Sequence, residues 1–432
     1  MPKETFYPRL MENYIKEAMT ELPAIAIEGL KGVGKTELSR KLAETVFELD
    51  RDIDFTFLSN NLESVAEIAA PVLFDEWQRI PKIWDYVRRA IDNGAEEGRF
   101  LLTGSIANTN TNIHSGAGRI VKYTMYPLSL AERLIEKPSV SLGVLLSSKP
   151  FSTIIKGNTR VGFADYITEI CKSGLPGLRS FSMERRKDLM ASYISNLLSH
   201  DFKQQGFSVR QPIALRRWLT SYAAAIGTDA GYSEILDAST GGKGEKPAAK
   251  TTISYREALG NLWLLDELPA WIDGEEYFSG LKRSPKHYLA DPAIAVYLLG
   301  LDEESLMSPD LLSNPDIRKR DDRYGNTYGR LYESLIQLCL RTYTRVNGSG
   351  LYFMATRRGD HEIDFIVEKG RSLIAIEVKL APVVEDKDVK HLLWFKDRVG
   401  ERLKDMILIN SGNLAYRRED GVAVVPAALL SA

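Results

Sequence analysis

Apolar and polar positions along the chain fall into blocks whose period changes from one block to the next. Residues 24–28 (AIAIE) form an apolar run too short for a helix, which predicts a buried strand. Gly29-Leu30-Lys31-Gly32-Val33-Gly34-Lys35-Thr36 follows, and then Leu38, Leu42, Thr45 and Val46 recur at helical spacing among Glu37, Arg40, Lys41 and Glu44. The predicted order is strand, glycine-rich turn, amphipathic helix. Residues 72–74 and 100–102 predict two further buried strands. Residues 137–162 are rich in Ser, Pro, Gly and Lys and lack a clean period, which predicts a linker. Helical periods then dominate, over about 184–202, 212–225, 232–238 and 248–265. Near the end come short runs that are apolar on both sides. Residues 365–367 and 373–378 predict a hairpin with a four- to five-residue loop, Asp364 opening its first strand. Glu377 and Lys379 then share one face of the second strand, with Val378 on the other.

Composition narrows the classes. A chain of 432 residues is long enough for about three domains and a large core. Its 56 Lys and Arg against 58 Asp and Glu exclude a uniformly basic nucleic-acid coat protein but not a local basic face. Two cysteines, Cys171 and Cys339, exclude a disulfide framework and a multi-cysteine zinc site. The N-terminus has no apolar core and no apolar run reaches 18 to 20 residues, so the expectation is a cytoplasmic protein without a membrane partner.

The turn at 29–36 matches G-x-x-x-x-G-K-[ST]. Glycines let successive N–H groups converge on phosphate oxygens, Lys35 can reach the outer phosphates, and the Thr36 hydroxyl can ligate Mg²⁺. The expected nucleotide-binding positions are Gly29, Lys31, Gly32, Val33, Gly34, Lys35, Thr36 and Glu37, and the expected cofactors are ATP and Mg²⁺. Asp75 and Glu76 end the second predicted strand, at the edge where parallel α/β sheets bind ligands. Asp75 would hold the Mg²⁺ shell and Glu76 would orient the attacking water. Thr103, with Ser105 as the alternate, could bond the terminal phosphate or the water. Arg119, after a polar loop at 108–118, is a candidate to stabilise phosphoryl charge, in cis or across a subunit boundary.

Taken together, YPRL at 7–10, GLKGVGKTE at 29–37, LFDEWQRIP at 73–81, LLTGS at 101–105 and GRI…YPLSLAE at 118–132 resemble prokaryotic AAA-type ATPases, in particular those that carry a C-terminal domain of unknown function 4143. SGLPGL at 173–178, SPKHYLADPAIAVYLLG at 284–300, GRLYESL at 329–335, RRGDHEIDFIVE at 357–368 and AIEVK at 375–379 agree with that resemblance. It implies an α/β protein: an AAA-type P-loop parallel-sheet domain over 1–160, a helical and winged-helix-like middle over 161–285, and a small α/β restriction-endonuclease-like domain over 286–432. In such a middle, Lys250, Thr251, Thr252, Tyr255 and Arg256 would lie on or near a DNA-reading helix, and Lys243 and Lys246 in the loop before it. The alternative is that this region packs on the ATPase domain or on a partner.

The D…E-x-K pattern of Asp364, Glu377 and Lys379 is similar to the PD-(D/E)xK nucleases. There Asp364 and Glu377 would be Mg²⁺ ligands, Lys379 would activate water, and Glu333 would supply an extra carboxylate from an early helix. The alternative is a buried ion-pair cluster in a fold that has lost activity. DNA is the expected partner. A homo-oligomer and an unidentified protein partner stay open.

Overall fold

The computed structural model describes residues 6–105, 118–204, 212–239, 249–272, 284–307, 325–356 and 359–432. The polar loop before Gly118, the 240–247 segment with Lys243 and Lys246, and Arg357-Arg358 lie outside the described residues.

Five parallel strands form the first sheet: β1 (Ala24–Glu28), β2 (Thr45–Glu48), β3 (Val72–Asp75), β4 (Phe100–Gly104) and β5 (Ile120–Thr124). Their order is β2-β3-β4-β1-β5, so β4 is inserted between β1 and β3. Side chains alternate across the sheet as the pleat requires. Ile25, Ile27, Leu73 and Leu101 enter one core, while Ala24, Ala26, Phe74 and Leu102 enter another beneath the helix Lys82–Asp92. The helix after the glycine-rich turn spans only Lys35–Arg40. Thr45 and Val46, expected on that helix, instead lie in β2. They are β-branched, which suits a pleated edge better than a helix.

The segment expected as a linker is structured. Within it, β6 (Val140–Ser141) pairs with β16 (Leu430–Ser431) at the chain's end, and β7 (Gly157–Asn158) pairs with β14 (Leu414–Arg417). Between them the helix Leu142–Ser147 packs on the second sheet through buried Leu142, Leu145 and Leu146. That i, i+3, i+4 spacing was present in the sequence, but surrounding Ser, Lys and Pro masked it. The C-terminal sheet thus draws strands from before residue 160 as well as after 286.

The middle is helical: Phe163–Lys172, Met183–Asn196, Pro212–Ala224, Tyr232–Ala238 and Ala249–Asn261. The last stops short of the expected 265, because Leu265 belongs to β8 (Leu265–Leu268), antiparallel to β9 (Lys286–Leu289).

The C-terminal sheet contains β10 (Gly350–Ala355), β11 (Glu362–Lys369), β12 (Ser372–Val378), β13 (Leu403–Asn410), β14, β15 (Ala423–Pro426) and β7, in the order β10-β11-β12-β13-β15-β14-β7. Lys369 pairs with Ser372, so the β11–β12 turn has two residues rather than four or five. Gly370, at φ +57°, supplies the left-handed conformation that so tight a turn needs. Asp364 is the third residue of β11, not its opener.

The long helix Gly325–Val346 joins the halves. Its buried Leu331, Leu335 and Cys339 share one continuous core with Ile27 and Leu130 on one side and Phe365 and Ile376 on the other. No helix among the described residues is long and apolar enough to cross a membrane.

Candidate functional site

The turn after β1 folds tightly. Gly29 (φ +146°) has no room for a side chain, since a Cβ would stand 2.3 Å from the Met125 carbonyl oxygen. Gly34 adopts φ +98°, a left-handed conformation that a Cβ disfavours. Lys35 is buried, and its Nζ donates to the carbonyls of Gly29 (2.8 Å) and Leu30 (3.0 Å). Burial pushes its pKa down to about 8, although Glu76 and Asp75 pull it upward. Its protons are thus held by weak acceptors that a phosphate would outcompete.

The C-terminal ends of β1, β3 and β4 bring the remaining groups together. Asp75 Oδ1 accepts from Thr36 Oγ1 (2.8 Å) and from Thr103 Oγ1. Burial raises the Asp75 pKa, against the pull of those two hydroxyls. Glu76 has a left-handed backbone (φ +55°), a strained conformation of the kind found at functional sites. Its carboxylate accepts from Ser105 Oγ (2.8 Å) and Gln78 Nε2. The two candidate hydroxyls therefore separate: Thr103 supports Asp75, and Ser105 sits on Glu76. A hydroxyl facing one carboxylate is a hard oxygen set that fits Mg²⁺, which takes its other ligands from water and phosphate.

Arg119 is not at this edge. It directly precedes β5, whose Ile120 pairs with Ala24 at the start of β1, and its guanidinium bonds Asp92 at the end of Lys82–Asp92. A five-residue parallel strand, about 17 Å, separates it from the glycine-rich turn. A cis role for Arg119 at this site is thereby excluded.

Two supports escaped sequence reading. Arg9 reaches under the turn: Nη1 donates to the Val33 carbonyl (2.6 Å), Nη2 to that of Tyr126 (2.6 Å), and Nε to Glu132 (3.0 Å). Glu132, 1% exposed, also accepts from the amides of Leu10 and Ser129 and from the Ser129 hydroxyl. The motifs at 7–10 and 126–132 were visible, but nothing in one sequence pairs residues 123 apart. Lys31 points outward, with Nζ 3.4 Å from Asp201 and its carbonyl accepting from Tyr193 (3.0 Å). The middle helices thus touch the turn.

A second charged cluster lies in the C-terminal half. Asp364 Oδ2 accepts from the Val378 amide (2.9 Å), and Glu377 accepts from Lys379 Nζ (3.2 Å). Burial, and then Asp364, push the Glu377 pKa well up. Burial works against the Asp364 charge, but Lys286 and Lys379 outweigh it and lower its pKa. Glu333 is brought to the same place by the helix Gly325–Val346. The unexpected member is Lys286, from β9. Its Nζ lies 2.7 Å from Glu362, 3.3 Å from Glu333 and 3.4 Å from Asp364, with the side chain 3% exposed. A cavity of about 490 Å³ opens beside the cluster, lined by Arg330, Glu333, Asp364, Lys379 and Asp388 among others.

A parallel sheet with a glycine-rich turn, a buried lysine and paired strand-end carboxylates at one edge defines a P-loop nucleotide-binding protein of α/β class. Comparison with known families agrees. Residues 21–134 match the AAA domain, 163–305 a domain of unknown function (DUF8612), and 328–430 the domain of unknown function DUF4143. The chain therefore carries an AAA-type P-loop domain, a helical middle and a C-terminal DUF4143 domain. Uncharacterised proteins of Mycobacterium tuberculosis and Mycobacterium bovis are each 23% identical over 426 residues, covering 96% of this chain and 82% of theirs. A Walker-type ATPase of Pyrococcus abyssi aligns at 15% identity and a TM-score of 0.39, covering 68% of this chain and 97% of that one.

Proposed function

We propose that this chain is a Mg²⁺-dependent ATPase whose nucleotide state controls a C-terminal nuclease-like module, with DNA as the partner. The observation that carries the ATPase reading is the meeting of Thr36, Asp75, Thr103, Glu76 and Ser105 at one sheet edge beside Lys35. Lys35 would leave the Gly29 and Leu30 carbonyls for phosphate oxygens. Thr36 and Asp75 would hold Mg²⁺, which when bound screens charge on the phosphoryl group being transferred. Glu76, held in place by Ser105 and Gln78, would orient the attacking water.

Control by nucleotide state is supported by contacts at the turn's back. Arg9 ties the Val33 carbonyl to Glu132. The adjacent Leu130 amide donates to Cys339 Sγ (3.2 Å) and the Ala131 amide to Tyr343 Oη (3.4 Å). Both acceptors lie on the helix that carries Glu333. The winged-helix reading is supported by the order of the last three middle helices, Pro212–Ala224, Tyr232–Ala238 and Ala249–Asn261, followed by the antiparallel β8–β9 pair. Lys250 and Thr251 are exposed on the third of these helices. Arg256 instead lies 4.4 Å over the Tyr232 ring, spent within the fold.

The test is ATP turnover with Mg²⁺, with and without double-stranded DNA, single-stranded DNA or RNA, while the nucleic acid is watched for cuts. Glu76→Gln should bind ATP and turn it over slowly. Stimulated turnover, with cuts that vanish in Asp364→Ala, is the outcome for a nucleotide-controlled nuclease. Turnover indifferent to nucleic acid, with no cuts, is the outcome for the second reading: a nucleotide switch for a protein partner, with an inactive nuclease-like fold. The insertion of Lys286 among the carboxylates favours that second reading.

A further inference from the structure

A nuclease of the D…E-x-K type needs a divalent cation between its carboxylates, at about 2.0–2.1 Å from oxygen for Mg²⁺. Three carboxylates here, from three places on two elements, already face a cation. Glu333 comes from the long helix, Glu362 and Asp364 from β11, and all three lie within 3.4 Å of Lys286 Nζ. We propose that the Lys286 ammonium is the resident cation of this cluster and takes the place of a divalent metal ion.

The surroundings fit an ammonium and not a metal. Tyr288, two residues along β9 and hence on the same strand face, donates its hydroxyl to Glu333 Oε1. The Val378 amide occupies Asp364 Oδ2, and Lys379 occupies Glu377 Oε2. One oxygen each of Glu333, Asp364 and Glu377 thus already accepts from a donor of the protein itself. The Lys286 side chain is itself enclosed, 3% exposed, with Nζ 5.7 Å from the centre of the Phe353 ring. A dication placed among these carboxylates would have to displace a buried like charge.

The consequence concerns what the C-terminal half does. The cluster clamps β9, at the end of the middle region, to the β11–β12 hairpin and to the long helix. It works as a fixed joint beside an open cavity, not as a metal-dependent hydrolytic centre. This inference rests on the second reading of the proposed function, an inactive nuclease-like fold, and is independent of the ATPase reading.

The experiment is Mn²⁺ titration of the full chain without nucleotide, read by loss of the free-ion electron paramagnetic resonance signal, together with thermal unfolding. Wild type, Asp364→Asn and Lys286→Gln are compared, and ATP binding is measured separately on each. The expected result is that wild type and Asp364→Asn take up the same Mn²⁺, so no site depends on Asp364. Lys286→Gln should unfold at lower temperature, gain one Mn²⁺ site, and recover part of the lost stability when Mn²⁺ is added. A wild-type Mn²⁺ site that disappears in Asp364→Asn would overturn the proposal, whether or not Lys286→Gln folds. So would a folded Lys286→Gln that gains no site. ATP binding retained throughout keeps the nucleotide reading intact under either outcome; ATP binding lost in wild type would sink that reading alone.

Discussion

At the edge of the five-stranded sheet, Asp75 is met by two hydroxyls, Thr36 and Thr103, and Glu76 by Ser105 and Gln78. The nearby ammonium of Lys35 is turned toward backbone carbonyls. In the C-terminal cluster, Asp364, Glu362 and Glu333 are met by the ammonium of Lys286, and Glu377 by that of Lys379. Both places hold carboxylates largely out of water, Glu362 excepted, which is costly unless they are paired. The first solves this with neutral donors and leaves the cationic partner to arrive with a ligand. The second builds the cation in. Burial depresses Lys35 toward a readily lost proton, whereas the carboxylates around Lys286 outweigh burial and raise its pKa well above the usual lysine range. A site prepared for a ligand keeps electrostatic demand unmet, and a joint satisfies it.

The sharpest way to break this contrast is to neutralise each lysine. Lys286→Gln should destabilise the chain by roughly 3–5 kcal/mol, the cost of leaving buried carboxylates without their partner, measured by urea unfolding. Lys35→Ala should leave stability nearly unchanged, because burial already opposes that charge. It should weaken ATP binding on the order of 100-fold, about 3 kcal/mol, by titration calorimetry. If Lys286→Gln proves harmless and Lys35→Ala unfolds the domain, the assignment of ligand site and joint is reversed.

What a single sequence could show divides along the same line. The nucleotide edge was legible because its parts are contiguous: Gly29 to Thr36 in one turn, Asp75-Glu76 at one strand end, Thr103-Gly104-Ser105 at another. The D…E-x-K carboxylates were legible as a spacing. Lys286 was not, since it lies 78 residues from Asp364 and reads as one charge in an apolar strand. A lysine within the buried KHYL run was the available signal, because a charge there must find a partner. The cis half of the Arg119 expectation failed for the opposite reason: proximity in sequence to a polar loop says nothing about which end of a parallel strand a residue occupies, and the role across a subunit boundary is untouched by this. The helical period through Thr45 and Val46 failed because so short an apolar run also fits a strand.

Arg9→Ala probes the support beneath the nucleotide turn. It removes donors from the Val33 and Tyr126 carbonyls and from Glu132, but leaves Glu132 the Leu10 and Ser129 amides and the Ser129 hydroxyl. The expected loss is about 2–3 kcal/mol, seen as a lower unfolding temperature, together with weaker ATP binding. Unchanged affinity in a destabilised protein would reduce Arg9 to a structural tie.

Lys35 also sets a pH dependence. Its folded pKa is about 8, below its ordinary 10.5. Burying the charge costs stability at pH below 8. That cost is relieved as pH rises from 8 toward 10.5, so this group makes the nucleotide-free protein more stable over that window. Bound phosphate would raise the pKa again. ATP binding should therefore take up a proton above pH 8 and weaken by up to about tenfold per pH unit beyond it. Calorimetry at pH 8.5 in buffers of different ionisation enthalpy measures the uptake; none at that pH would show that Lys35 is not the group facing phosphate.

The smallest effect concerns Lys31, whose side chain is 58% exposed while Asp201 is 9% exposed. An ion pair this open contributes below about 1 kcal/mol, so Asp201→Asn should scarcely alter unfolding. The change matters for what Lys31 does next. Freed from Asp201, it can turn toward the phosphates a few residues along the same turn, and ATP affinity should rise about two- to fivefold, less than 1 kcal/mol. Lys31 would then be a cation that changes partner with nucleotide, the reverse of Lys286, and its release would pass nucleotide state to the middle helices through Asp201. Unaltered ATP affinity in a normally folded Asp201→Asn would fix Lys31 as a surface tether, and the route from nucleotide to the C-terminal half would then run through Arg9, Glu132 and the contacts of Leu130 with Cys339 and Ala131 with Tyr343.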